Sequence, residues 1–215
     1  MKLIFTPNTG YIHKVLVVAY EAGIVERLTF ERTRPFDPNT TIWSFNPFGK
    51  VPVLELDNGE PLFGGLVICE YFNSLSVTGV SVYPTDEARW PALRQMMLGD
   101  GLFDATTLLR VEGWRDKAVW NLDYMQRERR KMINALDRME LEAPQFASAP
   151  FHIGHICMAG GLSYLGLRNP IREYALEPGD ADFDWRANRP HLSKWFDAIQ
   201  TRPSMQFKVE LPEER

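Results

Sequence analysis

The sequence predicts an α/β domain followed by an all-α helical bundle. Three observations carry that reading. In the first third of the chain, short β-forming runs alternate with helical patterns. Beyond residue 85 apolar residues recur only at helical spacing. Between them, residues 77–84 lack periodicity and hold Gly79 and Pro84, which marks a linker. The predicted domains are therefore 1–76 and 85–215. A chain of 215 residues is long enough to give each a core.

The elements follow in order. Lys2 to Phe5 is a short strand and Thr6 to Gly10 a loop. A helix runs from Tyr11, with Ile12, Val15, Leu16, Val18, Ala19 and Ala22 apolar, and ends at Gly23. Leu28 to Arg32 is a second strand, and the short strand–helix–strand spacing requires a parallel pair with a right-handed crossover. Asp37-Pro38 reads as a cap and first-turn proline for a short helix near Thr41 to Ser44. Val51, Val53, Leu54 and Leu56 form a strand, Asp57-Asn58-Gly59 a hairpin turn, and Pro61 to Phe63 the return strand. A helix then opens at Gly64-Gly65, with Leu66, Ile68, Cys69, Phe72 and Leu75 at helical spacing.

In the second half, Thr85-Asp86-Glu87 offers a cap and two acids for a long helix. Its expected inner side is Leu93, Met97, Phe103, Thr107, Arg110, Val111 and Trp114. A second long helix covers Trp120 to Glu142. A third, Ile153 to Leu167, carries small residues that suit the centre of a bundle. Pro190 to Gln200 is the last, with Leu192, Trp195, Phe196 and Ile199 facing in, and the tail from Phe207 reads as loose.

Pro52 stands out at the head of a strand. A proline there cannot donate to a ladder, so it belongs at an edge, a first strand position or a cis bond. A cis Val51-Pro52 bond would leave the Val51 backbone free to pair with an extended ligand, and the nearby helix start suits a carboxylate. These features describe a site for a short anionic peptide.

Asn46-Pro-Phe-Gly-Lys-Val-Pro52, the hairpin and the Leu66 to Phe72 helix resemble the glutathione-binding half of cytosolic glutathione S-transferases. The βαβαββα order resembles the thioredoxin-like fold, and the all-α second half, with Asp184 to Pro190 leading into its last helix, is similar to bacterial members. The resemblance implies glutathione as co-substrate, a homodimer, and a small hydrophobic electrophile. It places Lys50, Val51, Pro52, Gly64 and Gly65 against glutathione and matches Thr9 to the residue that activates the thiol, with Asn8 a lesser donor. The second substrate would lie on the inner face of the long helix, against Phe103, Thr107, Arg110 and Trp114. Asp100 and Asp104 would reach a γ-glutamyl amine across the dimer.

A free thiol near a pKa of ~8.5 is only a few per cent ionised at neutral pH, so such an enzyme gains rate by hydrogen-bonding the sulfur. A threonine hydroxyl can do this; Thr9 also stands where it can cap the helix that follows. The chain departs from the family at three points. Gly64-Gly65 replaces an acid and a serine that hold the γ-glutamyl carboxylate, Thr9 replaces serine, and His152-Ile153-Gly154-His155 replaces a capping box. The two histidines read as an altered cap rather than a metal site, since no third ligand is near. His13 reads as an exposed helix residue and His191 as part of a first helical turn.

A net charge of −4 without a long basic block argues against nucleic acid, and Arg127 to Lys131 reads as a solvated helix face. No apolar run approaches the ~18 residues of a membrane span, and no leader pattern follows Met1. Cys69 and Cys157 have no metal or redox spacing, which fits buried thiols and a cytoplasmic setting. The functions left open are a transferase, a non-catalytic binding or scaffold protein with an eroded site, and a glutathione-dependent lyase, dehalogenase or isomerase. With no cysteine at Asn8 or Thr9, thiol–disulfide chemistry is disfavoured.

Overall fold

A computed structural model describes residues 1–7, 9–146 and 148–209. The chain forms two compact units, Met1–Thr85 with the segment from Arg202 onward, and Asp86–Thr201.

The first unit has the thioredoxin-like order. Strands β1 (Lys2–Phe5), β2 (Thr29–Arg32), β3 (Val53–Glu55) and β4 (Pro61–Phe63) form one sheet in the order β2-β1-β3-β4. β1 and β2 are parallel, and β3 is antiparallel to both β1 and β4. Ile4 registers with Val53, and both pack on Ile42 with Phe45 and Val51 at the edge of the cluster. Their neighbours Leu3 and Leu54 register on the opposite face, also fully buried. Helices α1 (Gly10–Glu21) and α2 (Gly65–Ser74) pack on one another.

Asp37 does not cap the short helix. Its carboxylate accepts from the Asn39 N–H at 2.8 Å and closes a turn, and a single 3-10 turn follows at Ile42–Ser44. A further helix, α8 (Pro203–Gln206), was not anticipated; it packs on α1 and buries Ser204 and Met205. Phe207 lies 5.4 Å from the Tyr20 ring, so the start of the tail is packed rather than loose.

The second unit is all-α: α3 (Arg89–Gly113), α4 (Leu122–Phe146), α5 (Ile153–Arg168), α6 (Pro170–Tyr174) and α7 (Pro190–Gln200). α5 is buried on nearly every side and packs closely on α3. α3 starts at Arg89, not Thr85, and has no acid in its first turn, because Asp86 accepts from the Ala88 N–H and closes a turn ahead of it. Its inner face also differs from the expectation. Ala92, Gly99, Leu102, Phe103, Ala105, Thr106 and Leu109 are buried, while Met97, Val111 and Trp114 are exposed. Small residues win because backbone meets backbone. A β-carbon on Gly99 would stand 2.2 Å from the Cys157 carbonyl carbon, and one on Gly161 2.7 Å from the Gly99 oxygen.

The basic run on α4 is more than a solvated face. Arg129 pairs with both oxygens of the buried Asp180 at 2.7 and 2.6 Å, and Lys131 pairs with the buried Glu128. α7 begins as expected at Pro190, and its first N–H groups, of His191 and Leu192, are capped by Glu140 of α4 at 3.2 and 2.7 Å. Among the described residues no helix is long and apolar enough to cross a membrane.

Candidate functional site

The loop before β3 is built by one buried amide. The Asn46 side chain donates to the Lys50 carbonyl at 2.8 Å and accepts from the Phe48 N–H at 3.0 Å, while its own carbonyl accepts from the Gly49 N–H at 2.9 Å. Gly49 has φ +60, and a β-carbon there would stand 2.6 Å from the Trp43 ring, so only glycine fits. The Asn-Pro-Phe-Gly-Lys run is thus a self-bonded loop that delivers Lys50 to solvent and Val51 to the sheet edge. The Val51-Pro52 bond is cis. The β3 ladder begins at Val53, so the Val51 backbone lies outside the paired register.

Gly64 precedes α2 with φ +96, a conformation that disfavours any side chain. α2 has no side-chain cap and no acid in its first turn. Its start is nevertheless not an open gap. A β-carbon on Gly65 would stand 2.9 Å from Lys14 Cε and 3.7 Å from the Lys14 ammonium. Lys14 is only 3% exposed, and its ammonium stands 5.1 Å from the centroid of the Tyr11 ring. The lysine therefore runs through the space a larger residue would take. Sequence reading missed it because Lys14 sits on an otherwise apolar helix face; a lysine among Ile12, Val15, Leu16 and Val18 was the available signal.

Thr9 stands at the N-cap of α1 with extended φ/ψ, but its hydroxyl makes no cap bond; it donates to the Thr6 carbonyl at 3.3 Å. The helix-capping role expected for the hydroxyl is therefore absent, and a long, weak bond is all that holds it. Asn8 lies outside the described residues.

His13 is half-buried rather than exposed. Its ring bonds the Met205 backbone, and burial holds its pKa below the ordinary histidine value. His152 is the α5 cap: its Nδ1 accepts from the Gly154 N–H at 3.1 Å, and its ring stacks on His155 at 3.8 Å. Burial lowers the His152 pKa to about 4. Among the described residues no group of three or more His, Cys, Asp or Glu could hold a metal ion.

In the second unit, Phe103, Thr107 and Arg110 lie at helical spacing on α3, and Trp114 is its C-cap. Phe103 packs on Tyr164 with ring centroids 4.4 Å apart, and Arg110 donates to the Tyr164 hydroxyl at 2.8 Å. The Arg110 guanidinium stands 5.4 Å from the Trp114 ring. The Thr107 hydroxyl is turned back to the Phe103 carbonyl at 3.0 Å. Asp100 and Asp104 lie on the same helix.

Residues 10–75 match the family model of the glutathione S-transferase N-terminal domain. The chain is 28% identical over 207 residues to the uncharacterized GST-like protein YibF of Escherichia coli K12, covering 95% of this chain and 96% of that one. It is 33% identical to a glutathione transferase family member from Pseudomonas fluorescens Pf-5 with bound glutathione, at a TM-score of 0.84, with 95% and 96% of the two chains covered. The same relative has also been solved with S-(propanoic acid)-glutathione. A glutathione S-transferase from Methylobacillus flagellatus KT with glutathione bound is 27% identical at a TM-score of 0.83, over 95% and 96% of the two chains. A thioredoxin-like sheet with its cis-proline loop, a helical second unit and a relative at this identity over nearly the full length agree: the chain belongs to the glutathione S-transferase family.

Proposed function

We propose that this protein binds glutathione in its first unit and promotes attack of the glutathione thiolate on a small hydrophobic electrophile. The observation that carries the reading is the Val51 backbone, left outside the ladder at the cis-Pro52 loop, in a chain 33% identical to a relative holding glutathione. The Val51 N–H and C=O pair with the cysteinyl backbone of the tripeptide. Lys50 meets the glycyl carboxylate. The γ-glutamyl carboxylate sits at the start of α2, where the Gly65 backbone and the Lys14 ammonium replace the missing serine hydroxyl. Thr9 turns its hydroxyl from the Thr6 carbonyl to the sulfur and holds it as thiolate. Asn8 remains a lesser donor. The S-(propanoic acid)-glutathione held by the Pseudomonas relative supports a sulfur that carries a substituent during the cycle.

The test is retention on immobilised glutathione together with a thermal shift at millimolar glutathione. Retention and a raised Tm support the reading; neither effect overturns it. A non-catalytic binding role is favoured by one observation, the absence of any side chain at Gly64 and Gly65. Gly65→Ser separates the two. Its β-carbon displaces only the flexible end of Lys14. Gained affinity and turnover mark a weakened transferase, and no change marks a repurposed site.

A further inference from the structure

A polar cleft of about 340 Å³ opens in the first unit at the end of β2. β1 stands between β2 and β3 in the sheet, and among the described residues none of Thr9, Lys50, Val51, Gly64 and Gly65 lines the cleft. Arg32, Thr33 and Arg34 line it from the strand end, and Asp37, Asn39 and Thr40 from the turn that follows. Backbone bonds fix its frame. The Thr33 N–H extends the ladder to the Phe5 carbonyl at 2.9 Å, and the Thr33 carbonyl accepts from the Thr6 hydroxyl at 2.8 Å. The Asp37 N–H donates to the Arg34 carbonyl, and the Thr40 N–H to the Asp37 carbonyl, both at 3.0 Å. The Thr33 and Thr40 hydroxyls stand 3.3 Å apart, and that of Thr40 also accepts from the Ile42 N–H at 3.4 Å. Whichever hydroxyl donates to the other, one proton of the pair is left for a ligand. Asp37 Oδ1 accepts from the Asn39 N–H at 2.8 Å, which leaves Oδ2 to accept. No aliphatic or aromatic side chain is among the described lining residues. Guanidinium forks match the oxygens of a phosphate, whereas a carboxylate repels a bare anion and takes hydroxyl donors. A ligand that suits both ends carries a phosphate and hydroxyl groups on one small skeleton.

We infer that this cleft is a second ligand site of the first unit and that it takes a monosaccharide phosphate. The phosphate meets Arg32, Arg34 and the spare proton of the Thr33–Thr40 pair. The sugar hydroxyls donate to Asp37 Oδ2 and accept from the Asn39 side-chain amide. The volume lies at the small end of ligand pockets, which run from ~300 to ~1,000 Å³, and so suits a single sugar ring rather than a dinucleotide. The ligand is bound and not transformed, so no bond is made or broken. The inference does not depend on the glutathione reading, because the two sites share none of the residues named for each.

The test is calorimetric titration of the full chain with glucose 6-phosphate, ribose 5-phosphate, glucose and inorganic phosphate, each with and without millimolar glutathione. At least one sugar phosphate is expected to bind about ten-fold or more tightly than both glucose and inorganic phosphate, with the same affinity in the presence of glutathione. Arg34→Gln is expected to weaken that sugar phosphate about ten- to a hundred-fold. Asp37→Asn keeps an oxygen for the Asn39 N–H but removes the charge, so it is expected to narrow the gap between the sugar phosphate and inorganic phosphate. Both side chains are exposed, so neither change touches the core. Equal affinity for the sugar phosphates and inorganic phosphate would mark plain attraction of anions and overturn the inference. No binding of either sugar phosphate, or an unchanged affinity in Arg34→Gln, would overturn it as well. Displacement by glutathione would make the cleft part of the glutathione site and overturn it too. Failure of glutathione itself to bind removes the glutathione reading alone.

Discussion

At the scale of single residues, the Thr9 hydroxyl and the His152 ring nitrogen carry the testable chemistry. The Thr9 hydroxyl is held by a 3.3 Å bond to the Thr6 carbonyl and is free to re-aim. Thr9→Ala is expected to lower the rate of glutathione conjugation about ten- to a hundred-fold and to move its pH profile toward the free thiol, while Thr9→Ser keeps both. A rate and profile unchanged in Thr9→Ala would remove Thr9 from the mechanism. His152 caps α5 only while Nδ1 keeps its lone pair for the Gly154 N–H. Its pKa is about 4 when folded against an ordinary 6.5, because burial disfavours the cation. The unfolded chain therefore takes up the proton first as pH falls. The contribution is complete above pH 6.5 and is lost progressively down to about 4. His152→Asn retains a cap acceptor that does not titrate. Urea midpoints measured between pH 7 and 4 are expected to fall less in this variant than in the wild type.

At the scale of elements, the contact of α3 with α5 is set by glycine. A β-carbon on Gly99 meets Cys157 and Met158 backbone at 2.2 to 2.4 Å, and backbone cannot step aside. Alanine in a helix gains about 1 kcal/mol over glycine, but forcing the helices apart costs about 1–3 kcal/mol or more. Gly99→Ala is therefore expected to destabilise. Gly101, two residues on, has nothing within 4 Å of its would-be β-carbon. Gly101→Ala is expected to stabilise by about 0.5–1 kcal/mol. Thermal unfolding of the pair checks both signs, and equal effects would remove the close approach as the cause.

At the scale of the whole chain, the C-terminal segment returns to the first unit. Arg202 and Ser204 both bond the Glu21 carboxylate at the end of α1, at 3.0 and 2.5 Å, and Met205 packs there with its backbone on His13. The N-terminal unit is therefore not complete without residues far along the chain. Truncation after Thr201 strips a buried methionine and the Glu21 partners, and is expected to cost at least about 2 kcal/mol in urea unfolding. An unchanged midpoint would show that the tail contributes nothing.

Much of the fold was legible from sequence. Strands β1 and β4, helix α7 with its four inward residues and the hairpin turn lie where their local patterns place them, and the cis bond at Pro52 is one of the three placements that proline left open. Periodicity, turn residues and proline act within a few residues of themselves, so a single stretch contains the information. The run from Asn46 to Pro52 is of this kind: the Asn46 amide and carbonyl bond Lys50, Phe48 and Gly49 within the same stretch. What the sequence could not carry was any choice between partners distant in the chain. The buried face of α3 was misread because glycine and alanine score weakly as apolar, yet they let two backbones meet. Lys14 beside Gly65, Glu140 on the start of α7, and Arg110 on Tyr164 are contacts across some fifty residues each. The local sequence thus determined the strands, the long helices and where the Pro52 loop stands; only the tertiary structure decided the short helices α6 and α8 and which side chains meet at the start of α2 and along α3, because close packing selects partners by shape and charge rather than by position in the chain.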